Sequence, residues 1–344
     1  MSSKIFTEVL KRFKSFTPLE LKALSIVFNT FVQHNEFNLD DLVKAKHDDN
    51  GIKCPHCSHA GPEGIVKYGK RREVQWYKCK LCGRTFSAVT GTFLNRTKKF
   101  FQDWEDFIQC MMEGYSVRKT AEVCKIHRNT AWAWRHKILD ALSQYQNSQP
   151  QMKGVVEADD TFFPLSFKGS TPVGRKPHQR GEKATKRGTS REKVCVSCAV
   201  ERDGQLYSKV SALGRAKEKD LQAVFRKRFS RRAVVCTDND RAYVKFGKHS
   251  RFTHFRVPNG IRVLDIYHVQ NINSYHSRLK AFMTKFKGVA TKYLNNYLVW
   301  MNLIQEGKRS KVELLKLAIK ALVFDRWVDL SCRSAVPVPV TVTT

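Results

Sequence analysis

Val155-Val-Glu-Ala-Asp159-Asp160-Thr-Phe-Phe163 reads as an apolar, β-branched strand running into acids, and it sets the fold of everything after it. A second run, Ala233-Val-Val-Cys-Thr-Asp238, ends in the same way. Acids at the ends of neighbouring central strands can hold divalent cations. Two Mg²⁺ ions about 4 Å apart can activate a nucleophile and stabilise a leaving oxygen at a phosphodiester. Mg²⁺ takes few protein carboxylates and fills its shell with water and phosphate oxygens. A further ligand is expected from a later helix, in His268-Val-Gln-Asn-Ile-Asn273-Ser-Tyr-His-Ser-Arg-Leu-Lys280. Asn273, His276, Ser277 and Lys280 share one helical face. Lys280 stands two turns, roughly 10 Å, beyond Asn273, which suits a phosphate contact. A regular strand turns Asp160 to the face opposite Asp159. On spacing alone, solvated acids at strand ends remain the competing reading.

Around these runs the pattern is mixed. Short β-type stretches over 154–161, 193–200, 206–210 and 233–237, with helices between and after, predict one α/β domain over residues 153–330. Residues 168–193 hold nine Lys/Arg against two Glu. A basic arm along DNA phosphates, carrying Arg175, Lys176, Arg180, Lys183, Lys186 and Arg187, is the functional reading; a solvated hairpin tip is the plain one. Six to ten phosphate contacts would lower affinity roughly 10³- to 10⁵-fold between 50 and 200 mM salt. Cys195-Val-Ser-Cys198 lies inside an apolar run without a second pair, so core thiols are expected there.

Upstream, Gln146-Asn-Ser-Gln-Pro150 reads as a linker closing a helical domain over 98–145. Trp104, Phe107, Ile108 and Met111 mark one helix, Ser116 can cap a second over 117–123, and a third runs over 128–139. A short helix, a tight turn and a helix opening on polar residues is the helix-turn-helix pattern; an ordinary helical hairpin competes. Arg128, Asn129 and Thr130 would meet base edges, while Ala131, Trp134 and Ile138 pack.

Cys54-Pro-His-Cys57 and Cys79-Lys-Leu-Cys82, with 21 residues between the pairs, suit four thiolates around one structural Zn²⁺. Hairpin-like strands between and after the pairs predict a zinc ribbon over 52–90; a redox dithiol and chance spacing are the competitors. Residues 1–46 carry helical periodicity, and the Pro-interrupted tail over 331–344 is expected to be unordered.

Composition agrees with a polyanion partner. Against 31 Asp+Glu stand 62 Lys+Arg, a formal charge of +31, while 42% hydrophobic residues suffice for a core. The opening MSSKIFTEVLKRFKS lacks the apolar stretch of a signal peptide, and no apolar run reaches a membrane-spanning length. The expectation is a cytoplasmic, nucleoid-associated protein. An anionic membrane surface has only the charge in its favour.

The chain resembles insertion-sequence transposases with an N-terminal zinc ribbon, a helix-turn-helix and a DDE-type, ribonuclease-H-like catalytic domain. The likeness runs from about Cys54 to Asn302: CPHC, KCKLCGRTFS, Thr90-Gly-Thr92, Thr130-Ala-Trp132, VEADDTF, TDNDRAY, QNINSYHSRLK and YLNNYLVWMN, in that order. It implies a multidomain α+β chain that binds the terminal inverted repeats of its element, cleaves them with two Mg²⁺ or Mn²⁺ ions, and joins the freed 3′-hydroxyl to target DNA. Asp159 and Asp238 would be the catalytic acids, Asn273 the third metal ligand and Lys280 the basic residue seven positions on. Double-stranded DNA and a homodimer or higher assembly are the implied partners. The family's commonest members carry Glu where this chain has Asn273, which removes one negative charge; Asp160 and Glu157 are the candidates to supply it. A catalytically inactive zinc-ribbon/helix-turn-helix regulator is the alternative.

Overall fold

The computed structural model describes Thr17 and residues 52–306, apart from 62, 72, 73, 88, 96, 170–184, 203, 259–262 and 265. The expected 1–46 helices (Thr17 aside), Arg175, Lys176, Arg180 and Lys183 of the basic arm, residues 307–330 and the 331–344 tail lie outside them. Two compact units divide between Ala88 and Val89.

In the first unit, β1 (Ile65–Arg71), β2 (Val74–Cys79) and β3 (Thr85–Ser87) form an antiparallel sheet in chain order. Its core is small: Cys54, Ile65, Cys79 and Phe86, with Tyr77 stacked on Phe86 at 5.6 Å. Two of those four buried residues are cysteines from the C-x-x-C pairs.

The second unit opens with α1 (Phe101–Met112), α2 (Val117–Val123) and α3 (Arg128–Ser148). Ser116 Oγ accepts the Lys119 N–H at 3.2 Å and starts α2. Trp104 stacks on Trp134 at 3.7 Å and locks α1 against α3. The linker expected over 146–150 is helical as far as Ser148, a correction to the sequence reading. The Arg228 guanidinium donates to the carbonyls of Gln146 and Asn147, both at 3.0 Å, and so satisfies the last turn of α3 from 81–82 residues away. Asn296 Nδ2 donates to Asp140 at 2.7 Å, so α3 is also held by the closing helix, α7 (Leu294–Gln305).

Beyond α3 come β4 (Val155–Pro164), β5 (Lys193–Glu201), β6 (Leu206–Leu213), α4 (Glu218–Phe225), β7 (Val234–Thr237), α5 (Arg241–Lys248) and β8 (Thr253–Arg256). After the short pair β9 (Val263–Leu264) and β10 (Tyr267–His268) runs α6 (Gln270–Thr284). Five strands make one sheet, ordered β6-β5-β4-β7-β8. β6, β5 and β4 pair antiparallel, while β4–β7 and β7–β8 are parallel. Val156, Ala158 and Val235 face a core that includes Leu221, Phe225, Tyr243 and Phe246 of α4 and α5. Val194, Val196 and Cys198 face Ile272, Tyr275, Leu298 and Met301 of α6 and α7. The sheet is thus covered on both faces, and the period-2 alternation assigns each β4 side chain to one of them.

Gly247 lets α5 approach β8. A Cβ there would lie 2.1 Å from His254 Nδ1 and 2.9 Å from His254 Cβ. Gly→Ala inside a helix ordinarily stabilises by about 1 kcal/mol. Here Gly247→Ala should destabilise by about 1–3 kcal/mol, read as a lower denaturant midpoint.

Candidate active site

Asp159 on β4 and Asp238 just after β7 come together at one end of neighbouring strands. β4 and β7 run parallel, with Glu157 opposite Cys236. Two residues further on lie Asp159 in β4 and Asp238 just past the end of β7, near enough that the Asp238 charge acts on Asp159. Since Val156, Ala158 and Val235 face α4 and α5, Asp159 and Asp238 face α6. Asp238 Oδ1 accepts the Asp240 N–H at 3.0 Å, Asp240 caps α5 through Ala242, and Arg215 Nε donates to Asp240 at 3.0 Å. Asp159 Oδ1 accepts the Asp160 N–H at 2.8 Å.

Burial first, then the charges of Asp238, Asp160 and Asp240, push the Asp159 carboxyl from 3.8 up to about 7. The folded chain therefore holds that proton more tightly than the unfolded one. This contribution to stability is complete below about pH 4, declines as pH rises through about 7, and is then lost; its size is of order 4 kcal/mol. Without divalent cations, the melting temperature should fall from pH 5 to pH 8, and Asp159→Asn should flatten much of that slope.

The helix that covers this face is α6. His276 Nδ1 lies 3.8 Å from Asp159 Oδ2. Burial, then the neighbouring Lys280, lower the His276 pKa to about 4, so its ring is neutral at neutral pH. Asn273, one turn earlier on that face, and Lys280, one turn later, are both exposed. The structure thus gathers Asp159, Asp238 and the Asn273 face of α6 at one end of the β4–β7 pair.

Neither proposed substitute for the missing glutamate points into this group. Asp160 is on the other face of β4, where Tyr243 Oη donates to it at 2.8 Å and burial raises its pKa. Glu157 is fully buried, with its oxygens taken by the first turn of α6. Sequence reasoning missed the part played by His276 and Glu157. Their shared face with Asn273 and Asp159 was the available signal.

The four paired cysteines converge as well. Their sulfurs lie within 4.8 Å of one another, with Cys54–Cys82 and Cys57–Cys79 each at 3.7 Å. Tetrahedral Zn²⁺ with bonds of about 2.3 Å needs sulfurs about 3.8 Å apart, so the donor set fits that ion. The loop after Cys79 closes by Gly83 N–H to Cys79 O at 2.9 Å, with Gly83 at φ 69°, where a side chain would be strained. The Cys82 backbone N–H leads the causes that lower the Cys79 thiol to about 7. Lys53, Lys78, Lys80 and Arg84 are exposed around the cluster. Cys195 and Cys198 instead lie fully buried in β5.

Of the residues expected on DNA, Arg128 and Asn129 are exposed and Thr130 is half-buried in the first turn of α3. That turn is capped by His127 Nδ1, which accepts the Asn129 N–H at 3.3 Å. Between α2 and α3, Lys125 takes a left-handed conformation at φ 50°. Lys186 and Arg187 are exposed on the turn before β5, where Glu192 accepts the N–H groups of Thr185 and Lys186 at 2.8 and 3.3 Å. Among the described residues, no helix is long and apolar enough to cross a membrane.

Residues 151–302, the span that holds this sheet and its acids, match the ISXO2-like transposase domain. A relative in Halobacterium salinarum, an uncharacterized protein in transposable element ISH50, is 26% identical over 279 residues, covering 78% of this chain and 92% of that one. Among solved structures, a pre-cleavage Mos1 transpososome covers 90% of this chain and 100% of its own at 10% identity and a TM-score of 0.21. A chain of a simian T-cell lymphotropic virus intasome in complex with PP2A regulatory subunit B56 gamma covers 57% and 67%, at 11% identity and a TM-score of 0.28. Overlays this loose add nothing to the strand order already described.

Proposed function

We propose that the chain is the transposase of an insertion sequence, with a ribonuclease-H-like catalytic domain that cuts the element's inverted-repeat ends and joins them to target DNA. The observation that carries this is the parallel pairing of β4 with β7, which brings Asp159 near Asp238 and beside His276 of α6. The 3-2-1-4-5 order of β6-β5-β4-β7-β8, with the first three strands antiparallel, supports the fold assignment.

Asp159, Asp238 and the Asn273 amide oxygen would hold Mg²⁺ or Mn²⁺, two hard cations suited to an all-oxygen set. When bound, these ions supply charge to activate the attacking oxygen and to stabilise the leaving one. The protein's own groups do the rest. Asp159, held near 7 by burial, gives up its proton to accept a cation, and Asp238 adds a second carboxylate. The amide of Asn273 adds an oxygen without adding charge. The exposed Lys280 ammonium, one turn beyond His276, would meet a DNA phosphate, and neutral His276 keeps a positive charge away from Asp159. Water displaces the 3′-oxygen at the element's end, and the freed 3′-hydroxyl then attacks a target phosphodiester, breaking its P–O3′ bond so that the target strand's 3′-oxygen leaves as a hydroxyl. Both steps use one site.

In the same reading the Cys54, Cys57, Cys79 and Cys82 unit is a zinc ribbon, α2 and α3 are a helix-turn-helix, and Arg128, Asn129, Thr130, Lys186, Arg187 and Lys280 contact double-stranded DNA. The first 46 residues and the basic arm through Arg175, Lys176, Arg180 and Lys183 join them. Two ends brought together require a dimer or higher assembly, working in the cytoplasm on the nucleoid. The deciding experiment incubates the full chain with duplexes carrying the element's ends and Mg²⁺. Nicks at the element boundary are expected. Binding without cutting would make the chain a regulator instead.

A further inference from the structure

Local capping of α6 stops at its first residue, whose N–H (Gln270) donates to His268 Nδ1 at 3.3 Å. Its N-cap is Val269, whose side chain accepts nothing, and its first turn carries no acid. Four N–H groups at a helix start need acceptors, and here a residue 114–115 positions earlier supplies one. Glu157 Oε2 accepts the N–H groups of Asn271 and Ile272 at 2.8 and 3.1 Å, and Oε1 accepts Asn271 Nδ2 at 2.8 Å. His268 Nδ1 lies 3.2 Å and Arg202 Nε 3.6 Å from Oε1. The carboxylate is fully buried, and a buried charge persists only where it is paired and hydrogen-bonded. Here it meets both conditions at the positive end of a helix dipole.

We propose that Glu157 is a positioning residue: it fixes where α6 starts and how the helix is rotated, and thereby keeps Asn273 over the two acids. This rests on the transposase reading above. Glu157 precedes Asp159 by two residues on the same face of β4, so one strand carries both an acid and the anchor of the helix opposite it. Asn273 is the residue after the gripped pair, and its N–H to Val269 O at 3.3 Å begins the helical ladder. Slipping the start by one residue would swing Asn273 by about 100° around the axis, away from Asp159. Arg202 extends the anchor, since its Nη2 donates to Ile266 O in the approach to α6.

The test is Mn²⁺ binding to the full chain, followed by the free-ion electron spin resonance signal. Asp159→Ala defines which binding belongs to this site. Glu157→Gln keeps the shape and one acceptor while losing the charge. It should weaken Mn²⁺ binding about tenfold, the scale seen when groups that orient metal ligands are removed, with end binding near that of the parent. Asn271→Ala, a change at an exposed residue, should weaken it less, in the same direction. A merely structural role would lower the melting temperature and leave the ion affinity of the folded protein alone. The proposal is overturned if folded Glu157→Gln binds Mn²⁺ within about twofold of the parent. Should Glu157→Gln not fold, unchanged affinity in Asn271→Ala overturns it equally. A parent that binds Mn²⁺ at Asp159 yet never cuts DNA would sink the enzyme reading alone, and one that binds none would sink both.

Discussion

Asp159→Ala and Asp238→Ala should each lower end cleavage by roughly 10³-fold or more, leave end binding nearly intact, and raise the melting temperature above pH 7. Three physical points combine in that expectation. Each carboxylate would supply charge to cations that stabilise the reacting oxygens, a contribution of several kcal/mol. Both side chains are only half-buried, so truncation opens no enclosed core cavity. Asp159 is held near pKa 7 by burial and by neighbouring acids including Asp238, so deleting either charge relieves repulsion in the metal-free protein. Higher stability with lost chemistry is the trade expected of a functional site and not of a structural one. The measurements are a cleavage time course on end-bearing duplex, a gel-shift titration of the same duplex, and a thermal melt at pH 8. Binding that falls in step with cleavage would remove both aspartates from the catalytic role.

What the sequence made legible, and what it did not, follows from the range of the interactions involved. β4 could be read from its own residues because β-branched and aromatic side chains alternate into acids within ten positions. The start of α2 was legible because Ser116 and Lys119 are three residues apart. The end of α3 was not: Gln146-Asn-Ser-Gln-Pro150 has linker composition, and Arg228, which no local rule connects to it, donates to the carbonyls of Gln146 and Asn147 in a helix that runs to Ser148. The pairing of β4 with β7 across two intervening strands brings Asp159 beside Asp238, and spacing alone could not state it. Glu157 illustrates the same limit at the site itself. As a third acid near Asp159 it looked like a possible ligand, yet its partners are backbone N–H groups far along the chain.

Removing zinc is expected to have the other large effect, confined to a different part of the chain. Among the described residues of the first unit, four form the buried hydrophobic core, and Cys54 and Cys79 are two of them. A three-stranded sheet of this size buries too little apolar surface to offset its chain entropy unaided. Structural Zn²⁺ contributes about 10–16 kcal/mol of apparent binding free energy in comparable small domains, which is folding free energy for the unit that holds it. Cys79→Ser takes away one of four thiolates and leaves a hydroxyl in its place, a poor ligand at neutral pH. The variant, or the parent with a strong chelator, should become protease-sensitive over 52–87 and bind element ends more weakly. The melt of the unit beginning at Val89 should persist. Cys195→Ser, in the middle of β5, should leave the metal content at one zinc ion per chain, because that thiol lies outside the four-sulfur cluster. Metal content measured by a chromogenic chelator, with proteolysis and gel shift on the same preparations, separates these outcomes. A zinc-free chain that resists protease and binds ends as the parent does would show that the four sulfurs converge without a structural ion between them.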